Sequence, residues 1–136
     1  MNKPYGREQR FSLKRKVENK NPNSMKKVLI TYKLNPEIAK KLDGKVDYLL
    51  PEKSGFRREE VLEKIADYHV LIPNFSFYTD KEIMDRGKNL ELIANFGVGY
   101  NNIDVNYARQ KGIGVVNTPN YVKEPTAELA FALLMA

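Results

Sequence analysis

The stretch Asn95-Phe-Gly-Val-Gly-Tyr-Asn-Asn102 holds the residues best suited to chemistry in this sequence. Gly97 and Gly99 can adopt positive φ and let a ligand approach the backbone closely. The successive N–H groups of Val98, Gly99 and Tyr100 would then form a small anion nest. A carboxylate is a suitable guest, and no charged side chain is needed to hold it. The same spacing also serves as an ordinary glycine turn between a strand and a helix, and both readings stand at this point. It is not the dinucleotide fingerprint. Asn102 stands where the third glycine should be, and no acidic residue closes a following strand at the right distance.

Other chemistries fit poorly. The chain has no Cys and one His, His69. That excludes a disulfide scaffold, a thiolate metal site, Cys nucleophile chemistry and a multi-histidine metal site. Thr31-Tyr32 and Pro73-Asn74 occupy the places where a phosphate-accepting receiver domain would carry its acidic residues. Tyr32-Lys33-Leu34-Asn35 is no Ser/Thr/Gly phosphate loop. His69 opens a buried strand and is expected to be packed or at an edge. Phe75, Phe77, Tyr78 and Tyr100 read as core or rim, and Glu128 as a first-turn carboxylate favoured by the helix dipole.

The elements that would position these residues alternate. Lys27–Tyr32 is a β-rich apolar run, and Pro36–Leu42 has helical spacing that stops at Gly44. Val46–Leu50 is a second strand. Arg57–Tyr68 places Val61, Leu62, Ile65 and Ala66 on one helical face. Val70–Ile72 is a third strand, stopped by Pro73. Thr79 is expected to cap a helix ending near Gly87, and Leu90–Asn95 is a fourth strand. Asp104 caps Val105–Lys111, which Gly112 ends. Ile113–Asn117 is a fifth strand, and Pro125 opens a helix over Thr126–Ala136. Five βα units imply parallel strands, right-handed crossovers and helices on both faces. The fold class is therefore α/β: a flavodoxin-like, doubly wound, five-stranded parallel sheet. Ligands of such sheets bind outside the carboxyl ends of the strands.

Length and charge bound the rest. The 136 residues suffice for one core. The net charge of +6 is concentrated in residues 1–24, which carry seven Lys/Arg and two Glu; residues 25–136 are near neutral. Residues 1–24 read as disordered, being polar with Pro4, Gly6, Pro22 and four Asn, and as a basic leader, because Met25 opens a sequence that makes sense by itself. A basic tail says little about the partner of the domain it precedes, so no nucleic-acid partner is expected. No apolar run reaches the roughly 18 residues of a membrane span, and a cytoplasmic protein without a membrane partner is expected. The final helix has no polar face after Glu128 and no C-cap. A helix that is apolar all round needs partners all round, so Phe131, Leu134 and Met135 are expected to lack material that should pack on them.

Three ordered segments carry a resemblance: Leu92-Ile-Ala-Asn-Phe-Gly-Val-Gly-Tyr-Asn-Asn-Ile-Asp104, Lys111-Gly-Ile-Gly-Val-Val-Asn-Thr-Pro119 and Thr126-Ala-Glu-Leu-Ala-Phe-Ala-Leu-Leu-Met135. Together they closely resemble the D-isomer-specific 2-hydroxyacid dehydrogenases, NAD(P)-dependent enzymes related to glyoxylate/hydroxypyruvate reductase and phosphoglycerate dehydrogenase. The resemblance covers Met25–Ala136 in layout and about the last 47 residues in detail. It implies a substrate-binding domain over 25–124 and the start of an inter-domain helix over 125–136, with the Rossmann domain absent. It places the substrate carboxylate on the amides of Val98 and Gly99, lines the site with Asn74, Phe75 and Ser76, and brings Thr126 near the cofactor, NAD or NADP. The family's catalytic Arg, Glu and His lie in chain beyond that helix, and none is matched here.

The resemblance therefore implies the substrate-domain portion of an oxidoreductase acting on a small 2-keto or 2-hydroxy acid. The parent would be a homodimer. This chain alone is expected to be inactive and prone to self-association. The alternative is a stand-alone, non-enzymatic domain that binds a small carboxylate or a protein partner.

Overall fold

The computed structural model describes residues 25–119 and 123–135. The expected basic leader, 1–24, lies outside the described residues, as do the side chains of 123–128, Thr126 and Glu128 among them.

Five strands, β1 (Lys27–Ile30), β2 (Asp47–Leu49), β3 (Val70–Ile72), β4 (Leu92–Ala94) and β5 (Gly114–Val116), form one sheet in the order β2-β1-β3-β4-β5. All four pairings are parallel. The register sets Leu29 beside Leu71 and Leu71 beside Ile93. This is the doubly wound arrangement expected from the βα alternation. The helices between strands are α1 (Pro36–Ala39), α2 (Arg58–Lys64), α3 (Lys81–Arg86) and α4 (Val105–Lys111), and α5 (Lys123–Met135) follows β5. Short 3-10 turns, Lys40–Leu42 and Ile65–Asp67, extend α1 and α2.

Winding reverses between β1 and β3. Right-handed crossovers then place α1 on one face of the sheet and α2, α3 and α4 on the other. The second face holds the main core: Leu29, Val61, Ile65, Leu71, Ile83, Met84, Ile93 and Ala108 are fully buried. Each large aliphatic burial of this kind contributes about 1.5–3 kcal/mol. Strand residues alternate in direction, so Val70, Ile72, Leu92 and Ala94 face the side of the short α1. They are only half-buried.

Local chemistry sets the ends of the helices. Asn35 caps α1 by accepting the Glu37 amide at 2.9 Å, with Pro36 at the first helical position. Asp104 caps α4 by accepting the Tyr107 amide at 3.0 Å. Gly112 ends α4 at φ 67°, a left-handed conformation that glycine adopts without a Cβ penalty.

Two expectations need correction. Asp80, not Thr79, caps α3: its carboxylate accepts the Ile83 amide at 3.2 Å. Thr79 is instead fully buried, bridging backbone-to-backbone with Ile103. Helix α5 begins at Lys123 rather than after Pro125. Pro125 is its third residue, where an amide has no intrahelical acceptor and proline is tolerated.

Candidate functional site

The carboxyl ends of β1, β3, β4 and β5 converge on one edge of the sheet. After β1, the Tyr32 ring stacks on Phe96, with centroids 5.2 Å apart and 18° between planes. Since β1 and β4 both neighbour β3, this pair lies across the end of β3. Partial burial pushes the Tyr32 phenol above its ordinary range, so it stays protonated near neutrality.

The turn after β4 is held almost entirely through its carbonyls. The Gly97 oxygen accepts from the Thr118 amide at 3.0 Å and from Thr118 Oγ1 at 3.1 Å. The Val98 oxygen accepts from Asn117 Nδ2 at 2.6 Å. The Gly99 oxygen accepts from Asn95 Nδ2 at 2.8 Å. The Gly97 amide is engaged as well, by the Asn95 carbonyl at 3.1 Å and by Thr118 Oγ1 at 3.2 Å. Among the described residues, the amides of Val98, Gly99 and Tyr100 have no protein acceptor. In a trans peptide, C=O and N–H point in opposite directions. Fixing the three carbonyls inward therefore turns the next three N–H groups outward, a donor set suited to an anion.

The expected positive φ at Gly97 and Gly99 is not found; among the described glycines, Gly44 and Gly112 have it. What the two glycines leave at the turn is space. A Cβ on Gly97 would lie 3.2 Å from the Phe75 Cβ. A Cβ on Gly99 would meet nothing within 4 Å, so the approach to its amide is open.

The turn after β3 is tied to this one. The Phe96 amide donates to the Pro73 carbonyl at 2.8 Å. Asn102 Nδ2 donates to the carbonyls of Asn74 (3.1 Å) and Phe77 (3.0 Å) and to Asn95 Oδ1 (3.0 Å). Asn95 Nδ2 returns a bond to Asn102 Oδ1 at 3.1 Å. Buried amides are satisfied only in such arrangements, because an unpaired one costs about 1–3 kcal/mol. The far end of the loop is held by Arg58, whose Nη2 donates to both Asp80 oxygens, at 3.0 and 2.9 Å, and to Glu82 at 2.9 Å. Burial pushes the Asp80 carboxyl up, but the Arg58 hydrogen bond, the Ile83 amide and the Arg58 charge outweigh it and hold it below its ordinary value.

Among the expected site residues, Asn74 and Phe75 lie on the loop bridged to Phe96 and packed beside Gly97, next to the turn that carries Val98 and Gly99. Phe75 is exposed and packs beside Gly97. Ser76 is exposed on the same loop. His69 stands at the opposite, amino edge, where its Nδ1 accepts the Lys27 amide at 3.1 Å. The side chains of Asn95, Asn102, Asn117 and Thr118 hold the turn, a role that the glycine spacing does not reveal. Their signal is a polar residue closing an apolar strand, as in Leu-Ile-Ala-Asn95 and Val-Val-Asn117.

The turn lacks the third glycine of a dinucleotide loop. The amide of Asn102, in the place of a third glycine, is committed to Asn95, Asn74 and Phe77. Among the described residues, no group of three or more His, Asp or Glu could hold a metal ion. No described helix is long and apolar enough to cross a membrane.

Comparison with known proteins gives a consistent picture. Residues 28–133 match the model of the D-isomer specific 2-hydroxyacid dehydrogenase catalytic domain. A glyoxylate reductase of Pyrococcus horikoshii is 39% identical over 113 residues, spanning 81% of this chain and 33% of that protein. A crystal structure of a Thermus thermophilus protein superposes with a TM-score of 0.74 at 33% identity, over 81% of this chain and 36% of that one. An NADPH-dependent glyoxylate/hydroxypyruvate reductase of Sinorhizobium meliloti, solved with NADP and malonate, superposes with a TM-score of 0.63 at 29% identity, over 82% and 34%. The chain thus spans about a third of the length of the proteins it matches.

Proposed function

The chain belongs to the D-isomer-specific 2-hydroxyacid dehydrogenase family, and we propose that it is the substrate-binding portion of a glyoxylate reductase-like member. The amides of Val98 and Gly99 receive the carboxylate of a small 2-keto or 2-hydroxy acid. Asn74, Phe75 and Ser76 line the side of the site that faces the rest of the substrate. The single observation that carries this reading is the pair of outward, unclaimed amides on a turn whose carbonyls are all held.

The parent reaction is hydride exchange between a nicotinamide cofactor, NAD or NADP, and that acid. The residues of this chain bind and orient the carboxylate; among the described residues none is matched to the acid–base or dinucleotide-binding role. We assign residues 25–124 to the substrate domain and 125–136 to the start of the inter-domain helix, with Thr126 on the cofactor side. On this reading the 136-residue chain binds the acid without turning it over.

The test is a titration of the ¹⁵N-labelled chain with glyoxylate, followed by amide NMR. The reading expects saturable shifts at Val98 and Gly99, with acetamide, a neutral molecule of similar size, producing none. Equal shifts with both probes, or glyoxylate shifts confined to other residues, would contradict it. Oxidation of NADH or NADPH by the chain with glyoxylate would contradict the expected lack of turnover.

A further inference from the structure

We infer that Asn117 is a positioning residue for this site: by holding the Val98 carbonyl, it aims the Gly99 N–H at the substrate carboxylate. The inference rests on the carboxylate reading of the Val98–Gly99 turn and adds to it the group that sets the geometry.

The unit joining Gly97 to Val98 is held twice at its oxygen, by the Thr118 amide and the Thr118 hydroxyl. Losing the hydroxyl leaves the backbone bond, so the Val98 N–H keeps its direction. The unit joining Val98 to Gly99 is different. Its oxygen has one protein donor among the described residues, Asn117 Nδ2 at 2.6 Å. Its N–H has no acceptor there. Gly99 has no side chain to restrict the turn, and a Cβ there would touch nothing. The orientation of this peptide unit therefore depends on one side-chain amide from the end of β5. Without that amide, the unit can rotate its carbonyl outward. A carbonyl oxygen turned toward a carboxylate repels it, so the effect on binding exceeds the loss of a single favourable contact. Asn95 stands in the same relation to the Tyr100 N–H through the Gly99 oxygen. Asn95 is buried and paired with Asn102, so it also supports the fold. Asn117 is half-buried at a strand end, and its bond to Val98 is the side-chain hydrogen bond it makes among the described residues.

The experiment compares Asn117→Ala, Thr118→Val and the unaltered chain in the glyoxylate titration, reading Val98 and Gly99 separately. Asn117→Ala is expected to weaken binding by more than about tenfold, beyond the loss of one hydrogen bond. The Gly99 amide should lose its response while core resonances such as Leu71 and Ile93 stay in place. Thr118→Val is expected to change affinity by less than about twofold. Asn117→Gln, which retains an amide donor on a longer arm, should recover part of the Gly99 response. Should Asn117→Ala fail to fold, Asn117→Leu keeps the side-chain volume without the donor and is read in the same way. If the unaltered chain responds at both amides and the Asn117 variants respond equally at Gly99, the positioning role is overturned and the carboxylate reading stands. If the unaltered chain responds at neither, the carboxylate reading fails and the positioning role falls with it.

Discussion

Replacing Gly99 by alanine separates stability from binding in this molecule. A Cβ at this position meets no protein atom within 4 Å, and its backbone lies outside the left-handed region that favours glycine. The methyl group therefore introduces no clash and no strain. It removes conformational freedom from the unfolded chain, which stabilises the native state by about 0.4–1 kcal/mol. For a domain of about 100 residues this corresponds to a rise in Tm of roughly 2–6 °C. The methyl is also fixed beside its own nitrogen, on the open side from which an anion must approach. Obstructing one charge-assisted hydrogen bond, worth about 1.5–3 kcal/mol, weakens carboxylate binding by roughly tenfold or more. Gly97→Ala is the control. Its Cβ would lie 3.2 Å from that of Phe75, an exposed residue able to yield by a few tenths of an ångström. Overpacking and the entropic gain then nearly cancel, and binding falls by less than about threefold. Thermal unfolding and glyoxylate titration of the two variants provide the assay. A Gly99→Ala chain with raised Tm and unchanged affinity would refute the placement of the carboxylate. A Gly99→Ala chain destabilised by more than about 1 kcal/mol would refute the open geometry of the turn.

Three further outcomes follow from the same contacts. Asp80 caps α3 and receives Arg58, so Asp80→Ala should destabilise the chain by about 1–2 kcal/mol at neutral pH. Because the folded Asp80 carboxyl sits below its ordinary value, its contribution is complete above the unfolded pKa of about 3.9 and is lost as pH falls through the lowered folded value; chemical denaturation at neutral and strongly acidic pH should show the mutational difference shrinking in acid. Asn102→Leu leaves the carbonyls of Asn74 and Phe77 and the side chain of Asn95 without their donor, and urea denaturation should register a loss of about 2–3 kcal/mol. Leu129, Phe131, Leu133, Leu134 and Met135 of α5 are all exposed; sedimentation of the 136-residue chain should reveal concentration-dependent self-association, reduced by Leu134→Glu.

Much of this was legible in the sequence, for reasons that can be named. The βα alternation dictated a parallel sheet, and the observed order β2-β1-β3-β4-β5 is the flavodoxin-like winding expected. Asp104 and Gly112 act as the helix stop signals their types suggest. The donor turn at Val98 and Gly99 was readable because glycine spacing exposes backbone amides. The reason for those glycines was not. They accommodate Phe75 and leave an open approach, features set by a neighbouring loop distant in sequence. Thr79 and Asp80 illustrate a similar limit. Both are capping residues by type, and the choice between them follows from the backbone pairing of Thr79 with Ile103. Asn95, Asn102, Asn117 and Thr118 were visible only as polar residues near strand ends. Their work depends on which carbonyl each one reaches, which adjacent strands decide and spacing along the chain does not.

The most direct test of the central claim is a crystal structure of the chain soaked with glyoxylate. The carboxylate oxygens are expected within hydrogen-bond distance, about 2.7–3.2 Å, of the Val98 and Gly99 nitrogens, with the carbonyls of Gly97, Val98 and Gly99 still held by Thr118, Asn117 and Asn95. Glyoxylate bound elsewhere on the sheet edge, with those two amides facing water, would contradict it.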